Sequence, residues 1–500
     1  MSMWLKNSFA VAAMILLLGA CAAGPDFKRP SAPTDARYLP KDQSPGYAIA
    51  LGQVQHFQPA QTLPADWWHL FRSPELDRLV LAAIAGNPSV QSAQASLRES
   101  QDNLRAGQGV FFPQIAVGAD AARQRVSPYP LGPRGVGGIF NLFTLSATVS
   151  YALDLFGGER RAVEGLHAQV DEQRYMLGAT YLSLAGNVVN TAFARQAYAD
   201  EIEVIRELIS AQSQQLDLVE TRIRTGAEGY SDLLSLRSAR ASSFAQLAAL
   251  QLKRDQADHL LHALLGQSSA ASQIPAIRFE DLHLPAALPL SLPSQLVRQR
   301  PDILVAEAQL HQASAQIGVA TAAMFPSIVL SGNDGSEANE TGVLGSAESR
   351  FWNAGVDVSA PIFQGGARWY GRRAAIDAYQ KSAEDYRSTV ISAFEQVADV
   401  LKALQHDAES LQANDEAARD AEQALHLIQA NYAAGLVSYV DVLVADAQYR
   451  QSKLAFVQSL AQRYQDTVAL YVALGGGWWE GVGESSMPTA RATIATGAQP

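Results

Sequence analysis

The chain has 500 residues, 48% of them hydrophobic, and a formal net charge of -11, which excludes nucleic acid as its main partner and leaves room for two or three ordinary domains. Its single cysteine, Cys21, rules out an intramolecular disulfide. No apolar run of about 18 residues follows the N-terminal segment, so any later membrane passage must use strands rather than helices.

In chain order, Lys6 precedes an apolar run from Phe9 to Leu18 that is too short to span a bilayer as a helix. Residues 1–20 therefore read as a signal peptide. Leu18-Gly19-Ala20-Cys21 resembles the lipobox of bacterial lipoproteins, which makes Cys21 the expected lipidation site. An ordinary signal peptide with an incidental cysteine is the alternative. By analogy with lipoprotein sorting, Ala22 after the cysteine points to the outer membrane. Prolines and small polar residues between Ala22 and Pro64 suggest an irregular tether over residues 21–65.

Helical sequence follows over residues 66–111, and then strands near Gln114 to Arg125 and Leu142 to Phe156. The second strand alternates cleanly. Phe143, Leu145, Ala147, Val149, Tyr151 and Leu153 take one face, and Thr144, Ser146, Thr148, Ser150, Ala152 and Asp154 the other. Such a strand suits either a soluble sheet, half buried, or a barrel with one face in lipid and one in water. Pro128, Pro130, Pro133 and Gly135 mark an exposed loop between the two strands. From Gly158 to Arg224 about 65 residues contain no proline, which predicts one helix about 100 Å long at 1.5 Å per residue. A turn near Gly226 and a helix from about Asp232 to Leu265 complete the unit. Along these helices Ile202, Ile205, Leu208 and Ile209 alternate with Glu201, Glu203, Arg206 and Glu207, which suits a helical wall wetted on both sides or a plain coiled coil.

The unit then repeats. Pro88 and Pro301 lie 213 positions apart, as do Pro113 and Pro326, and the intervening stretches superpose without a gap. Gly226-Ala227-Glu228-Gly229-Tyr230-Ser231-Asp232 returns as Gly435-Leu436-Val437-Ser438-Tyr439-Val440-Asp441. Strands are expected near Ser327 to Asn333 and Ser349 to Phe363, the latter with Trp352, Ala354, Val356 and Val358 on one face and Asn353, Gly355 and Asp357 on the other. One structural unit has been duplicated. Four strands cannot close a barrel, and an open edge is not tolerated in hydrocarbon, so closure requires several chains. Two chains supply eight strands, too few for an open pore, whereas three supply twelve.

The residues that carry a resemblance are the lipobox, Asp66-Trp67-Trp68 with Phe71 and Pro74-Glu75-Leu76, Asn87-Pro88, Leu292-Pro293-Ser294 with Arg300-Pro301-Asp302-Ile303, the two Gly-to-Asp turns, and Ala473-Leu474-Gly475-Gly476-Gly477-Trp478. In this order the chain resembles the outer membrane factors of tripartite RND-type efflux pumps, in the NodT and OprM lipoprotein branch, with TolC a more distant relative. The resemblance implies a mainly α fold with a transmembrane β-barrel part. It also implies a homotrimer whose 12-stranded barrel is continuous with a 12-helix periplasmic α-barrel. Residues 112–157 and 326–364 are the expected barrel strands, 158–266 and 365–475 the long helical hairpins, 267–299 an equatorial linker, 300–325 the second repeat's opening helix and 476–500 a tail. The implied partners are a periplasmic adaptor, an inner-membrane RND-type transporter and outer membrane lipid, with passive export of drugs or other small toxic compounds. A type I secretion duct and a non-transport coiled-coil lipoprotein are the alternatives.

Site expectations follow from the same likeness. Asp232, Tyr432, Val440, Asp441 and Asp446 are the expected periplasmic gate, with Tyr432 to Asp232 the preferred latch. Two departures stand out: Val437 replaces an arginine and Val444 a second gate aspartate. Asp232 and Asp441 also read as plain N-caps of the helices they start. Thr225, Gly226, Ala227, Gly435, Leu436 and Val437 are the expected adaptor-docking tips. Thr144, Ser146, Thr148, Ser150, Asp154, Asn353 and Asp357 are the expected pore lining. No catalytic constellation, cofactor or metal is expected. His259 and His262 have metal-compatible spacing but no accompanying ligands and read as surface residues, and Gly475-Gly476-Gly477 lacks the Lys of a phosphate loop.

Overall fold

Why the first helix begins where it does is set by three residues: Ser73 accepts the Leu76 N–H at 3.3 Å, Pro74 occupies the first position, and Glu75 complements the dipole. It runs Pro74–Gly86 (α1) in a computed structural model that describes residues 22–34, 37–40, 47–61, 63–127, 138–226, 229–270 and 274–478. The expected signal peptide and Cys21 lie outside the described residues. The remaining helices are α2 Pro88–Gln108, α3 Gly158–Arg224, α4 Tyr230–Leu264, α5 Pro293–Gln299, α6 Pro301–Ala322, α7 Ala367–Ala433 and α8 Tyr439–Ala473. The strands are β1 Tyr47–Ala50, β2 Gln53–Pro59, β3 Gln114–Val126, β4 Gly138–Leu153, β5 Ala287–Leu290, β6 Ser327–Ala338 and β7 Arg350–Ser359. The duplication is exact in helix length, since α3 and α7 have 67 residues each and α4 and α8 have 35 each.

The chain divides into two compact units. Among the described residues, the first takes 22–30, 96–127, 138–174 and 305–387. Its centre is an antiparallel sheet in the order β3-β4-β6-β7. β4 begins at Gly138 and stops at Leu153, three residues short of the expected Phe156. β6 continues past the expected Asn333 to Ala338, and β7 stops at Ser359, where Ala360 and then Pro361, which has no N–H to donate, leave the ladder. Residues 22–30 are strapped to this unit: Asp26 pairs with Arg161 at 2.6 Å, and Phe27 stacks on His311 at 4.2 Å.

The second unit takes the described residues between 31 and 95, between 175 and 304, and between 388 and 478. Phe71 meets Phe193 edge-on at 5.2 Å, Phe193 meets Tyr464 at 5.4 Å, and Tyr464 stacks on Phe279 at 5.1 Å. Trp67, Phe71 and Phe193 are buried, so this aromatic cluster is the unit's core. Gly86 and Gly266 pass so closely that a Cβ on either would strike the other strand of chain, at 2.6 Å and 2.2 Å from a carbonyl oxygen. The tether and the linker are not wholly irregular. β1 and β2 pair antiparallel inside the former, and β2 pairs parallel with β5 of the latter. His262 is also not a surface residue: it is buried and its Nδ1 lies 2.8 Å from the Asp258 carbonyl.

Candidate functional site

The register of the four-stranded sheet sorts its side chains. Val117 pairs with Ala147, which pairs with Asp334, which pairs with Trp352; Ile115, Val149, Gly332 and Ala354 form the next row. These rows and that of Tyr151, Leu330 and Val356 share one face, because directly opposed residues point the same way. That face is open to its surroundings, with Val117 75%, Trp352 77% and Val356 64% exposed. The other face carries Thr148 opposite Asn333 and Asn353, Ser150 opposite Gln114 and Ser331, Thr144 opposite Asp120 and Glu337, and Ser146 opposite Gly118 and Gly335. Asp357 joins it opposite Val329. Six of the seven expected lining residues therefore lie on one polar face.

Asp154 is the seventh, and it does something else. It lies just past the end of β4, and its carboxylate accepts the N–H of Glu159 at 3.2 Å and of Arg160 at 2.9 Å. It thereby satisfies the free donors of the first turn of α3 and pins the strand to the helix. Its side chain also pairs with Arg160 at 3.2 Å.

The two hairpin turns form the second cluster, within the second unit. Gly435 has a φ of 76°, the Gly435 N–H donates to Tyr432 O at 2.9 Å, and the Leu436 N–H donates to Asn431 O at 2.9 Å. Such a left-handed helix end favours glycine strongly. Gly226 repeats it at 74°, with Thr225 beside it; Ala227 lies outside the described residues. Leu436 is 73% exposed at the tip.

Neither Asp232 nor Asp441 is the N-cap. The caps are Gly229 and Ser438, and each aspartate sits three residues further on. Asp441 completes a capping box: its Oδ2 accepts the Ser438 hydroxyl at 2.7 Å and the Ser438 N–H at 2.8 Å. Those two bonds hold its carboxyl below the usual carboxylate range. Asp446, one turn and a half further along, is buried against Arg450 at 3.5 Å. Burial pushes its carboxyl up, while Arg450 and Gln212 pull it back.

Tyr432 lies with its ring 4.4 Å under the Arg222 guanidinium and 5.4 Å from the ring of Tyr439. Tyr439 is 3% exposed and donates to Gln215 Oε1 at 2.5 Å, which ties α8 to α3. Around them Leu216, Val219, Leu233, Leu236, Leu425 and Val442 pack into one cluster drawn from both hairpins. Sequence reasoning sets Tyr439 in the exposed tip, where the structure buries it, and missed Gln215, Arg222 and Arg450. The spacing of Asp446 and Arg450, four apart on a helix, is the signal that was available for the last.

Val440 is 50% and Val444 65% exposed, and four-residue spacing puts them on one face of α8. Val437, in the turn ahead of α8, is half-buried.

An amphipathic sheet whose apolar face is uncovered, joined in one chain to duplicated helical hairpins of matching length, defines an outer-membrane channel protein. The comparisons specify which. The family described as "Outer membrane efflux protein" matches residues 79–267 and 292–476, and the chain belongs to it. The probable efflux pump outer membrane protein TtgC of Pseudomonas putida is 28% identical over 96% of this chain and 98% of its own length. The probable outer membrane lipoprotein SilC of Salmonella typhimurium is 27% identical over 94% and 98%. The solved structure of the outer-membrane channel OprN covers 92% of this chain and 100% of its own, at 25% identity and a TM-score of 0.82. This chain is an outer membrane component of an efflux system.

Proposed function

We propose that three copies close into a 12-stranded barrel and a 12-helix tunnel, forming a passive exit duct fed by a periplasmic adaptor and an inner-membrane RND-type transporter. One observation carries the reading. The sheet order β3-β4-β6-β7 leaves β3 and β7 as edges with half their backbone groups unpaired, beside an apolar face in the open. In hydrocarbon that arrangement requires edge-to-edge pairing with further copies. Thr144, Ser146, Thr148, Ser150, Asn353 and Asp357 then line the lumen, and Asp154 marks the barrel's junction with the tunnel. Cys21 carries the lipid, which assists a barrel that holds the membrane unaided.

The hairpin tips, with Thr225, Gly226, Ala227, Gly435, Leu436 and Val437, receive the adaptor. Asp232, Tyr432, Val440, Asp441 and Asp446 belong to the gate region above them, where Tyr432 works through Arg222 and Tyr439. The names of relatives cite antibiotics, toluene and pyoverdine as cargo, which supports small organic compounds as the class exported. Native mass spectrometry and disulfide trapping test the assembly, with one cysteine on β3 and one on β7 at facing edges. Trimers joined only between copies are expected; a detergent-free soluble monomer would refute the duct.

A further inference from the structure

Strands β3, β4, β6 and β7 carry three cations between them, Arg123, Arg125 and Arg350. All three stand on the apolar face. Arg123 and Arg125 continue the alternate series of Ile115 and Val117, and Arg350 pairs with Ser336, which pairs with Leu145. The carboxylates of these strands mostly take the other side. Asp120, Glu337 and Asp357 lie on the polar face, and only Asp334 shares the face of the arginines.

The arginines are also gathered at one height. Arg123 is nine positions past Gln114, and Arg350 nine positions ahead of Ser359, both counted from the strand ends nearest the helices. Arg125 is two positions further out. At about 3.3 Å per residue and a tilt of about 40°, they stand about 23 to 28 Å from that rim, at the far border of an apolar band about 25 Å tall. A guanidinium there lays its stem on apolar surface and reaches the headgroups. All three side chains are exposed, and their contacts within the chain are long: Arg123 donates to Asn141 Oδ1 at 3.4 Å, and Arg350 lies 3.5 Å from Asp334.

A third regularity is lateral. The inner strands β4 and β6 have no cation, while Arg123 and Arg125 are on β3 and Arg350 is on β7, the two edges. Edge-to-edge closure, the reading on which this inference rests, sets β7 of one copy beside β3 of the next. Each seam then collects three positive charges at similar depth. Like charges facing one another across strands repel, so the seam calls for an anion of matching valence.

We propose that each seam of the closed barrel binds one lipopolysaccharide molecule of the outer leaflet, its bisphosphorylated saccharide headgroup held by Arg123 and Arg125 of one copy and Arg350 of the next. Arginine forks take phosphate oxygens through paired, charge-assisted hydrogen bonds. The acyl chains run down the apolar rows below, past Val117 and the 77% exposed Trp352. Because no single chain holds the whole site, the lipid also favours the assembled trimer by mass action.

The test is native mass spectrometry of full-length lipidated trimers in detergent, titrated with purified deep-rough lipopolysaccharide bearing both lipid A phosphates. Three molecules per trimer are expected, with affinity falling as salt rises. Arg350→Gln should weaken binding about tenfold, and Arg123→Gln, Arg125→Gln and Arg350→Gln combined about a hundredfold or more. Arg368→Gln with Arg373→Gln, at the opposite rim, should leave it unchanged. Intact trimers of the combined variant that bind as the wild type does would overturn the proposal; if that variant does not assemble, Arg350→Gln alone decides in the same way. Equal binding of phosphatidylglycerol, or of lipid A stripped of its phosphates, would also overturn it. Failure of the duct reading looks different: the wild type itself would form no trimer, and the seam site would fall with it.

Discussion

Val149 and Thr148 are neighbours in β4 on opposite faces, which makes them a controlled pair. Val149 is 40% exposed, in a row with Ile115, Gly332 and Ala354. Thr148 is exposed in a row with Ala116, Asn333 and Asn353. An arginine on a lipid-facing barrel position costs about 2 to 4 kcal/mol near the bilayer midplane, and far less in a wet lumen. Val149→Arg should therefore lower the folding equilibrium into lipid about thirty- to several-hundred-fold, since 1.4 kcal/mol is tenfold. Thr148→Arg should alter it by less than about threefold and change conduction instead. Urea titration of folding into phosphatidylcholine vesicles, followed by heat-modifiable mobility in gels, reads both. Equal destabilisation by the two variants, or a larger effect at Thr148, would refute the face assignment and with it the barrel.

Other consequences can be measured separately. Tyr439→Phe removes the hydroxyl that donates to Gln215, so about 1 kcal/mol of local stability is lost; hydrogen exchange near Leu216 and Leu425 should speed up about fivefold, and Tyr439→Ala should speed it much further. Gly435→Ala forces a side chain to a φ of 76°, at a cost of about 1 to 2 kcal/mol, and should raise proteolytic nicking at the second tip. Asp466 is held up to about 7 by burial and by its contact with Asp407, against Gln462 and the buried Arg463. The folded chain thus keeps a proton that the unfolded chain releases, and stability falls as pH rises from the ordinary carboxylate range to about 7, then levels. Melting points at pH 5 and pH 8 should differ in that direction, and Asp466→Asn should narrow the gap. Arg161, with its side chain 6% exposed, bonds Asp26, Glu164 and the Ala23 carbonyl, so Arg161→Met should release residues 22–30 to protease.

Most of the architecture could be read from two periodicities and one repeat. A strict alternation over Phe143 to Leu153 survives as two real faces because, among the described residues, no second layer covers the sheet to blur it. The long helices were legible for a different reason, the absence of proline over about 65 residues ahead of each glycine turn. β1 and β5 were not legible. Each has only four residues, and β5 contains Pro289, so neither offers enough alternation to stand out from a loop. β1 meets β2 through the two-residue Leu51-Gly52 turn, whereas β5 joins β2 from far along the chain, a pairing no local pattern announces.

The hairpin tips show where identity in a repeat stops being informative. Tyr230 and Tyr439 occupy equivalent places, yet the first is 62% and the second 3% exposed. Nothing in the residue itself separates them; their surroundings do, because Tyr439 lies against Tyr432 and Gln215 while Tyr230 extends away from the cluster. The aspartates behave in the same way. Asp441 has a serine three residues earlier and becomes the closing half of a capping box, whereas Asp232 has a glycine there and gains no such partner in Gly229. The duplication therefore supplies two hairpins of equal length but unequal ends. The end that buries its tyrosine and its Asp446 is the one that leaves Val440 and Val444 uncovered, so the residues that lock the second hairpin to its own chain also determine what it presents to the others.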